Sequence, residues 1–280
     1  VVGDEAGTAI TTGDGNTALG FQCGDALTTG NYNVAIGYDA LSTNSTGSAC
    51  IAIGKEALKV NTSSNNTAVG RVALTANTSG TYNTAIGDGS LSSNTTAANN
   101  TAVGHNAMVA NTTGTVNVAV GSSALAANTT ASYNTAVGQS ALSSNTTAAQ
   151  NTGLGYAALT NATTGADNTA TGSQALANTT TGASNTAVGR SALQLNTTGR
   201  DNTAVGYSAA ATNTTGVENV SMGMYALRFN TTGGSNTALG YLALHRNTTA
   251  SNNTAVGRYA LEANTTGTQS VAVGALSLDA

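Results

Sequence analysis

Residues 134–150 read NTAVGQSALSSNTTAAQ, and nearly the same seventeen letters recur along the chain of 280 residues. Sixteen copies of the opening NTAVG element begin at residues 16, 33, 50, 66, 83, 100, 117, 134, 151, 168, 185, 202, 219, 236, 253 and 270. Fourteen of the fifteen intervals are 17 residues and one is 16. Strict repetition at a short period is typical of a solenoid, in which each repeat forms one coil.

The composition of the repeat decides which kind of solenoid forms. We number each coil from position 1, the Asn of NTAVG. Position 2 is β-branched, position 3 is Ala except at Gly153 and Ser221, and position 4 is apolar except at Thr171. Position 5 is Gly in every copy, from Gly20 to Gly274, which indicates a corner with positive φ or a crowded bend. The sequence therefore predicts an all-β fold, a parallel β-solenoid of about sixteen coils with a short strand at positions 2 to 4.

The repeat extends over the whole chain. We expect one repeat domain at 1–280, with a partial coil at 1–15 and complete coils over 16–280. All twenty charged residues fall at positions 6, 7, 10, 11, 16 or 17, which are the expected solvent corners. The chain starts at Val1 without a Met or a signal-like segment, so we expect a processed chain or a fragment.

Charge and hydropathy limit the classes of partner. The formal net charge is −4 and only 7% of residues are charged, with no basic cluster and no acidic tail along the sequence. We therefore expect neither nucleic acid nor an anionic membrane as a partner. No run approaches the roughly 18 apolar residues of a membrane helix, so we expect no membrane insertion by this chain.

The alanines at position 3 lead to a prediction about assembly. Strand alternation places positions 2 and 4 on one face and position 3 on the other. A residue that faced water should vary, yet position 3 is held to Ala, so we expect a second copy to cover it. The predicted self-association surface comprises Ala68, Ala85, Ala102, Ala119, Ala136, Ala187 and Ala204.

Asn-x-Ser/Thr sequons recur with the repeat. One interpretation is N-linked or O-linked glycosylation along one edge; the other is a structural ladder of stacked Asn and Thr side chains. For the Asn of position 1, the ladder is the favoured interpretation. The candidate glycosylation sites are Asn44, Asn61, Asn65, Asn77, Asn94, Asn99, Asn111, Asn128, Asn145, Asn161, Asn178, Asn196, Asn213, Asn219, Asn230, Asn247, Asn252 and Asn264.

Few residues have reactive side chains. Cys23 and Cys50 are predicted to form a disulfide, a link between chains or two free buried thiols. His105 and His245 lie eight coils apart and are expected to be solvated corner residues. Because no nucleophile, carboxylate pair or metal-ligand spacing recurs, we expect no catalytic residues, no metal site, no cofactor and no enzymatic activity.

Residues 270–274 read SVAVG, residues 33–37 read NVAIG and residues 50–54 read CIAIG. These copies resemble the S-V-A-I-G repeat of the YadA-like heads of trimeric autotransporter adhesins. Similar repeats occur in phage and viral tail fibres. The resemblance covers essentially the whole chain and implies a left-handed parallel β-roll. It also implies three chains packed side by side on a bacterial surface, where they bind host matrix.

Together these features predict a non-enzymatic, extracellular structural or adhesive fibre protein at the cell surface. We expect it to assemble with itself, as a homo-oligomer or a head-to-tail filament, and to bind glycans or another surface ligand. The alternatives are a viral or phage tail-fibre shaft and an ice-binding β-solenoid. Ice binding needs two Thr per coil on one face, whereas Thr112 and Thr113 are adjacent and should point apart.

Overall fold

The computed structural model describes residues 1–278 and contains sixteen parallel strands of three residues each. Successive strands lie about one 17-residue repeat apart, so the prediction of a parallel β-solenoid is confirmed. Each strand occupies positions 2 to 4 of its coil. Positions 8 and 9, the second apolar element of the repeat, lie in turns. Among residues 1–278, no helix has the length and apolar content needed to cross a membrane.

The chain divides into two compact units, Val1–Gln139 and the part from Ser140 onward. The first unit contains β1 (Thr17–Leu19), β2 (Val34–Ile36), β3 (Ile51–Ile53), β4 (Thr67–Val69), β5 (Thr84–Ile86), β6 (Thr101–Val103), β7 (Val118–Val120) and β8 (Thr135–Val137). The second contains β9 (Thr152–Leu154), β10 (Thr169–Thr171), β11 (Thr186–Val188), β12 (Thr203–Val205), β13 (Val220–Met222), β14 (Thr237–Leu239), β15 (Thr254–Val256) and β16 (Val271–Val273).

Equivalent positions stack on one another within each unit. In the first unit, Ala85 of β5 lies opposite Ala102 of β6. The backbone hydrogen bonds between coils continue beyond the strands, as where Leu91 N–H donates to Ala107 O at 3.0 Å. An isolated parallel bridge joins Val2 to Leu19, so a partial coil precedes β1 as the sequence predicts. The coils are therefore held by parallel hydrogen bonds at most of their positions.

The alanines of position 3 point into the coil, which contradicts the predicted role of these residues in self-association. Within the single chain, every member of that set is 0% exposed: Ala68, Ala85, Ala102, Ala119, Ala136, Ala187 and Ala204. At Gly153, which replaces this Ala, an added Cβ would lie 3.4 Å from Leu142 Cγ. The strand therefore faces the position 9 leucine across a thin interior that has room for one methyl group. Interior volume, rather than an outside partner, restricts position 3 to Ala.

The glycine of position 5 forms the corner that the sequence predicts. Gly104 has a φ of 137°, and an added Cβ would lie 2.6 Å from Gly121 O in the next coil. Further left-handed residues were not predicted, yet Asn99, Asn106 and Met108 have φ values of 61°, 53° and 51°. Such conformations cost roughly 1 kcal/mol or more each and persist where surrounding structure enforces them. Here the stacked coils on both sides enforce them.

Candidate functional site

The first ladder consists of the position 1 asparagines, whose side chains lie inside the coil. Asn100 Oδ1 accepts a hydrogen bond from Asn117 N–H at 2.9 Å. Asn100 Nδ2 donates to Gly114 O at 2.8 Å. One carboxamide thus joins two coils and also closes its own coil. This is the structural-ladder interpretation of position 1, and the structure shows it directly.

A second ladder consists of the asparagines that open the NTTG turns. Asn94 Nδ2 donates to Asn77 Oδ1 at 2.8 Å and to Ala97 O at 3.1 Å. Asn111 Nδ2 donates in the same way to Asn94 Oδ1, at 3.0 Å. An N-linked glycan would be attached to these nitrogens, which are both buried and hydrogen-bonded.

Burial therefore overturns glycosylation at twelve of the eighteen candidate asparagines. A glycan on any of them would have to fit inside a coil that holds only side chains. The twelve, each at most 1% exposed, are Asn44, Asn61, Asn77, Asn94, Asn111, Asn128, Asn145, Asn196, Asn213, Asn219, Asn230 and Asn247.

Five of the six remaining sequon asparagines lie outside the ladders, whereas Asn264 continues the second ladder, because its Nδ2 donates to Asn247 Oδ1 at 3.2 Å and to Gly267 O at 3.0 Å. Asn65, Asn99, Asn161 and Asn252 are exposed, whereas Asn178 and Asn264 are half-buried. Asn161 and Asn178 come one residue before the ladder position, which Ala162 and Thr179 occupy instead. The shift by one residue was visible in the sequence, but its effect on exposure depends on which position faces inward.

The outward face is formed by positions 2 and 4 of the strands in each unit, because position 3 faces the core. Position 4 presents exposed aliphatic side chains, such as Ile86 and Val137 in the first unit and Val188 in the second, which are 40%, 38% and 38% exposed. Position 2 adds a parallel row that is mostly Thr. No charged residue occupies either position in any coil. The outward face therefore combines an apolar row with a hydroxyl-bearing row.

Arginine and aromatic side chains gather on a corner of the second unit. The arginine–tyrosine edge comprises Arg190, Tyr207, Tyr225, Arg228, Arg258 and Tyr259, at positions 6, 7 and 10 of consecutive or nearby coils. The guanidinium carbons of Arg228 and Arg258 lie 4.5 Å from the ring centroids of Tyr225 and Tyr259. Arg190 lies 5.8 Å from Tyr207, whose ring centroid is 5.4 Å from that of Tyr225. The sequence has no basic cluster along the chain, but the fold brings these arginines onto one edge.

His245 belongs to the same surface and is half-buried, unlike the solvated residue that the sequence suggested. Its ring centroid lies 4.9 Å from that of Phe229, and its Nδ1 lies 3.8 Å from Glu262 Oε1. Burial lowers the pKa of His245, and the nearby Arg228 and Arg246 lower it further, against the opposite effect of Glu262. The imidazole is therefore held in its neutral form at neutral pH.

Both cysteines are free thiols with fully buried side chains, so the disulfide and the link between chains are not formed. Cys23 Sγ lies 3.2 Å from Gly20 O, and Cys50 Sγ lies 3.3 Å from Ser63 O. Burial raises the pKa of both thiols above the ordinary value of 9.0. The neutral thiol is a poor nucleophile, so the two residues behave as small core side chains.

The other charged groups are mostly paired at corners. Lys59 Nζ lies 2.9 Å from Asp39 Oδ2, and Arg71 lies 2.9 Å from Asp88. Within residues 1–278, no three His, Cys, Asp or Glu side chains come together as a metal site would require.

The fold and these surfaces define a parallel β-solenoid stabilised by internal asparagine ladders. No protein-family model, curated protein or solved structure matches the chain.

Proposed function

We propose that this chain forms the shaft of a non-enzymatic, extracellular structural or adhesive fibre that assembles with copies of itself. The outward face carries this proposal. Within each unit it presents the same apolar row on coil after coil, and a continuous exposed apolar surface of this kind is typical of protein–protein interfaces. The resemblance to autotransporter heads, whose chains pack side by side, supports the same assignment.

The repeat of the outward face favours a second copy as its partner. Within each unit, coils stack at the strand spacing of roughly 4.8 Å, so a surface with the same spacing complements every coil of that unit at once. The lack of charge at positions 2 and 4 means that no ionised group would have to be desolvated on contact. Burial of the aliphatic row would supply the hydrophobic gain.

An extracellular surface appendage is the location that fits these properties. The exposed sequon residues Asn65, Asn99, Asn161 and Asn252 are available for glycosylation in such a compartment. A viral or phage fibre shaft would use the same outward face for assembly, and the resemblance extends to such shafts.

Sedimentation velocity and electron microscopy of the whole chain test the assembly. The variant Ile86→Glu/Val137→Glu places two charges on the outward face of the first unit, and Gln139→Glu places one on an exposed corner as the control. We expect oligomers or filaments from the wild type and the control, and monomers with an unchanged circular dichroism spectrum from the double variant. A wild-type chain that remains monomeric at high concentration would refute the proposal.

Ice binding is the second candidate, and the Thr row of the outward face favours it. Thr152, Thr169, Thr186 and Thr203 stack on four successive strands and are half-buried or exposed. This row differs from the NTTG threonines, of which Thr112 donates to Thr129 O at 3.1 Å. Position 4 supplies aliphatic rather than hydroxyl groups, which ranks this function second. Thermal hysteresis of the monomeric variant and the wild type would show whether either chain arrests ice growth.

A further inference from the structure

The arginines of the arginine–tyrosine edge lack the carboxylate partners that this chain provides elsewhere. Arg71 pairs with Asp88 at 2.9 Å and Arg200 with Asp201 at 3.0 Å. Among residues 1–278, no carboxylate lies within ion-pair distance of Arg190, Arg228 or Arg258. Beside this edge, Arg246 Nε lies 3.7 Å from Glu262 Oε1. The edge therefore carries an uncompensated positive charge on a chain whose formal net charge is −4.

Aromatic rings hold these guanidinium groups in place. Arg228 lies 4.5 Å from the Tyr225 ring and 5.3 Å from the Phe229 ring. Arg258 lies 4.5 Å from the Tyr259 ring. A guanidinium that stacks on a ring still has its N–H groups in its own plane, where they can bind a carboxylate or sulfate in bidentate geometry. Because stacking already restricts these arginine side chains, they lose less conformational entropy when an anion binds.

The arrangement of the edge indicates the shape of its ligand. From Arg190 to Tyr259 the edge runs over five successive coils, which begin at residues 185, 202, 219, 236 and 253. A row of this length fits an extended polymer with regularly spaced anionic groups better than a single small anion. Arg190, Arg228 and Arg258 each cover a ring, so few ring faces remain free for the base stacking that single-stranded nucleic acid uses.

We propose that the arginine–tyrosine edge binds a linear acidic polysaccharide through its carboxylate or sulfate groups. Exposed parts of Tyr207 and Tyr241, which are 40% and 37% exposed, add apolar surface and hydroxyl groups beside the arginines. Both features suit sugar rings, which combine C–H faces with hydroxyl groups. The choice of a polysaccharide rests on the proposed function as an extracellular fibre, where such polymers are the abundant polyanions.

Isothermal titration calorimetry with two probes tests this proposal and distinguishes the two anion types. Polygalacturonate oligomers supply carboxylates and heparin oligomers supply sulfates. We expect the wild type to bind at least one of them, and Arg228→Gln/Arg258→Gln to bind it more weakly by roughly tenfold or more, because charge-assisted bidentate contacts are lost. The matched control is Arg71→Gln, which removes an exposed arginine that already has a carboxylate partner. It should bind like the wild type.

Three results would overturn the proposal. The first is that the wild type binds neither probe. The second is that the control and the double variant lose the same amount of affinity. The third is that poly-dT or polyglutamate binds as tightly as the polysaccharide, which would indicate nonspecific attraction. Circular dichroism establishes that the variants are folded. Failure here is separable from failure of fibre assembly, because the Ile86→Glu/Val137→Glu variant should bind the polysaccharide while monomeric. The Arg228→Gln/Arg258→Gln variant should still assemble.

Discussion

Replacement of Asn100 by Ala tests whether the asparagine ladders stabilise the coil. The side chain is 0% exposed and joins two coils. Its Oδ1 accepts from Asn117 N–H at 2.9 Å and from Asn117 Nδ2 at 3.3 Å. Its Nδ2 donates to Gly114 O at 2.8 Å. The substitution removes all of these contacts and leaves the Asn117 N–H without an acceptor inside the coil, whereas Gly114 O keeps the hydrogen bond that Asn111 Nδ2 donates at 3.0 Å.

The size of the effect follows from this orphaned donor. A buried donor or acceptor without a partner costs about 1–3 kcal/mol. One such group, with the void left by the carboxamide, gives an expected loss of about 2–4 kcal/mol in the free energy of unfolding. Domains are typically stable by about 5–15 kcal/mol, so a loss of this size removes a substantial part of the stability.

Urea unfolding followed by far-ultraviolet circular dichroism measures the change, with Asn99→Gly as the control. Asn99 is exposed, has a φ of 61° and precedes Asn100 directly. Glycine retains that left-handed conformation, so the control should lie within about 1 kcal/mol of the wild type. If Asn100→Ala were as stable as Asn99→Gly, the ladder would not be the stabilising feature, and the reasoning above would be refuted.

Further predictions concern the cysteines, His245 and the sequons. Cys50→Asn should raise the free energy of unfolding by about 1 kcal/mol, because it restores the carboxamide that position 1 has in most other coils. The change is measured as a higher urea midpoint. A thiol-reactive dye should leave Cys23 and Cys50 unmodified in the folded chain and label both in urea. Because their pKa values are raised on folding from 9.0, stability should fall as the pH rises above 9. The pKa of His245 is lowered from 6.5, so the melting temperature should fall as the pH drops below 6.5, and His245→Gln should weaken that dependence. In chains that are secreted from a glycosylating host and folded, mass spectrometry should find glycans only at exposed asparagines such as Asn65, Asn99, Asn161 and Asn252. The twelve buried asparagines should carry none.

The repeat predicted the fold class, the coil period and the corner at position 5. These follow from local geometry, since a residue such as Gly104 occupies a conformation and a space that only glycine fits. The position 1 ladder was also predictable, because identical side chains in stacked coils must meet. Such features depend on the period and on residue type, both of which the sequence contains.

The inward face of the strand was not predictable from its pattern. Alternation separates position 3 from positions 2 and 4, but three residues give no indication of which side is buried. Ala102 is fully buried and Val103 is half-buried, the reverse of what hydropathy suggests. The small interior opposite leucines such as Leu91 and Leu125 leaves room only for a side chain about the size of alanine, and that volume is a property of the closed coil.

The arginine–tyrosine edge was missed for a related reason. Arg190, Arg228 and Arg258 are separated by 38 and 30 residues and form no charge cluster along the chain. Coiling places them on one edge, in every second coil of the five that begin at residues 185, 202, 219, 236 and 253. Local repetition thus determined the solenoid, its corners and its stacked ladders. The tertiary structure alone decided which face is buried, which sequons are exposed and which distant charges meet, because each depends on interior volume and on contacts between coils.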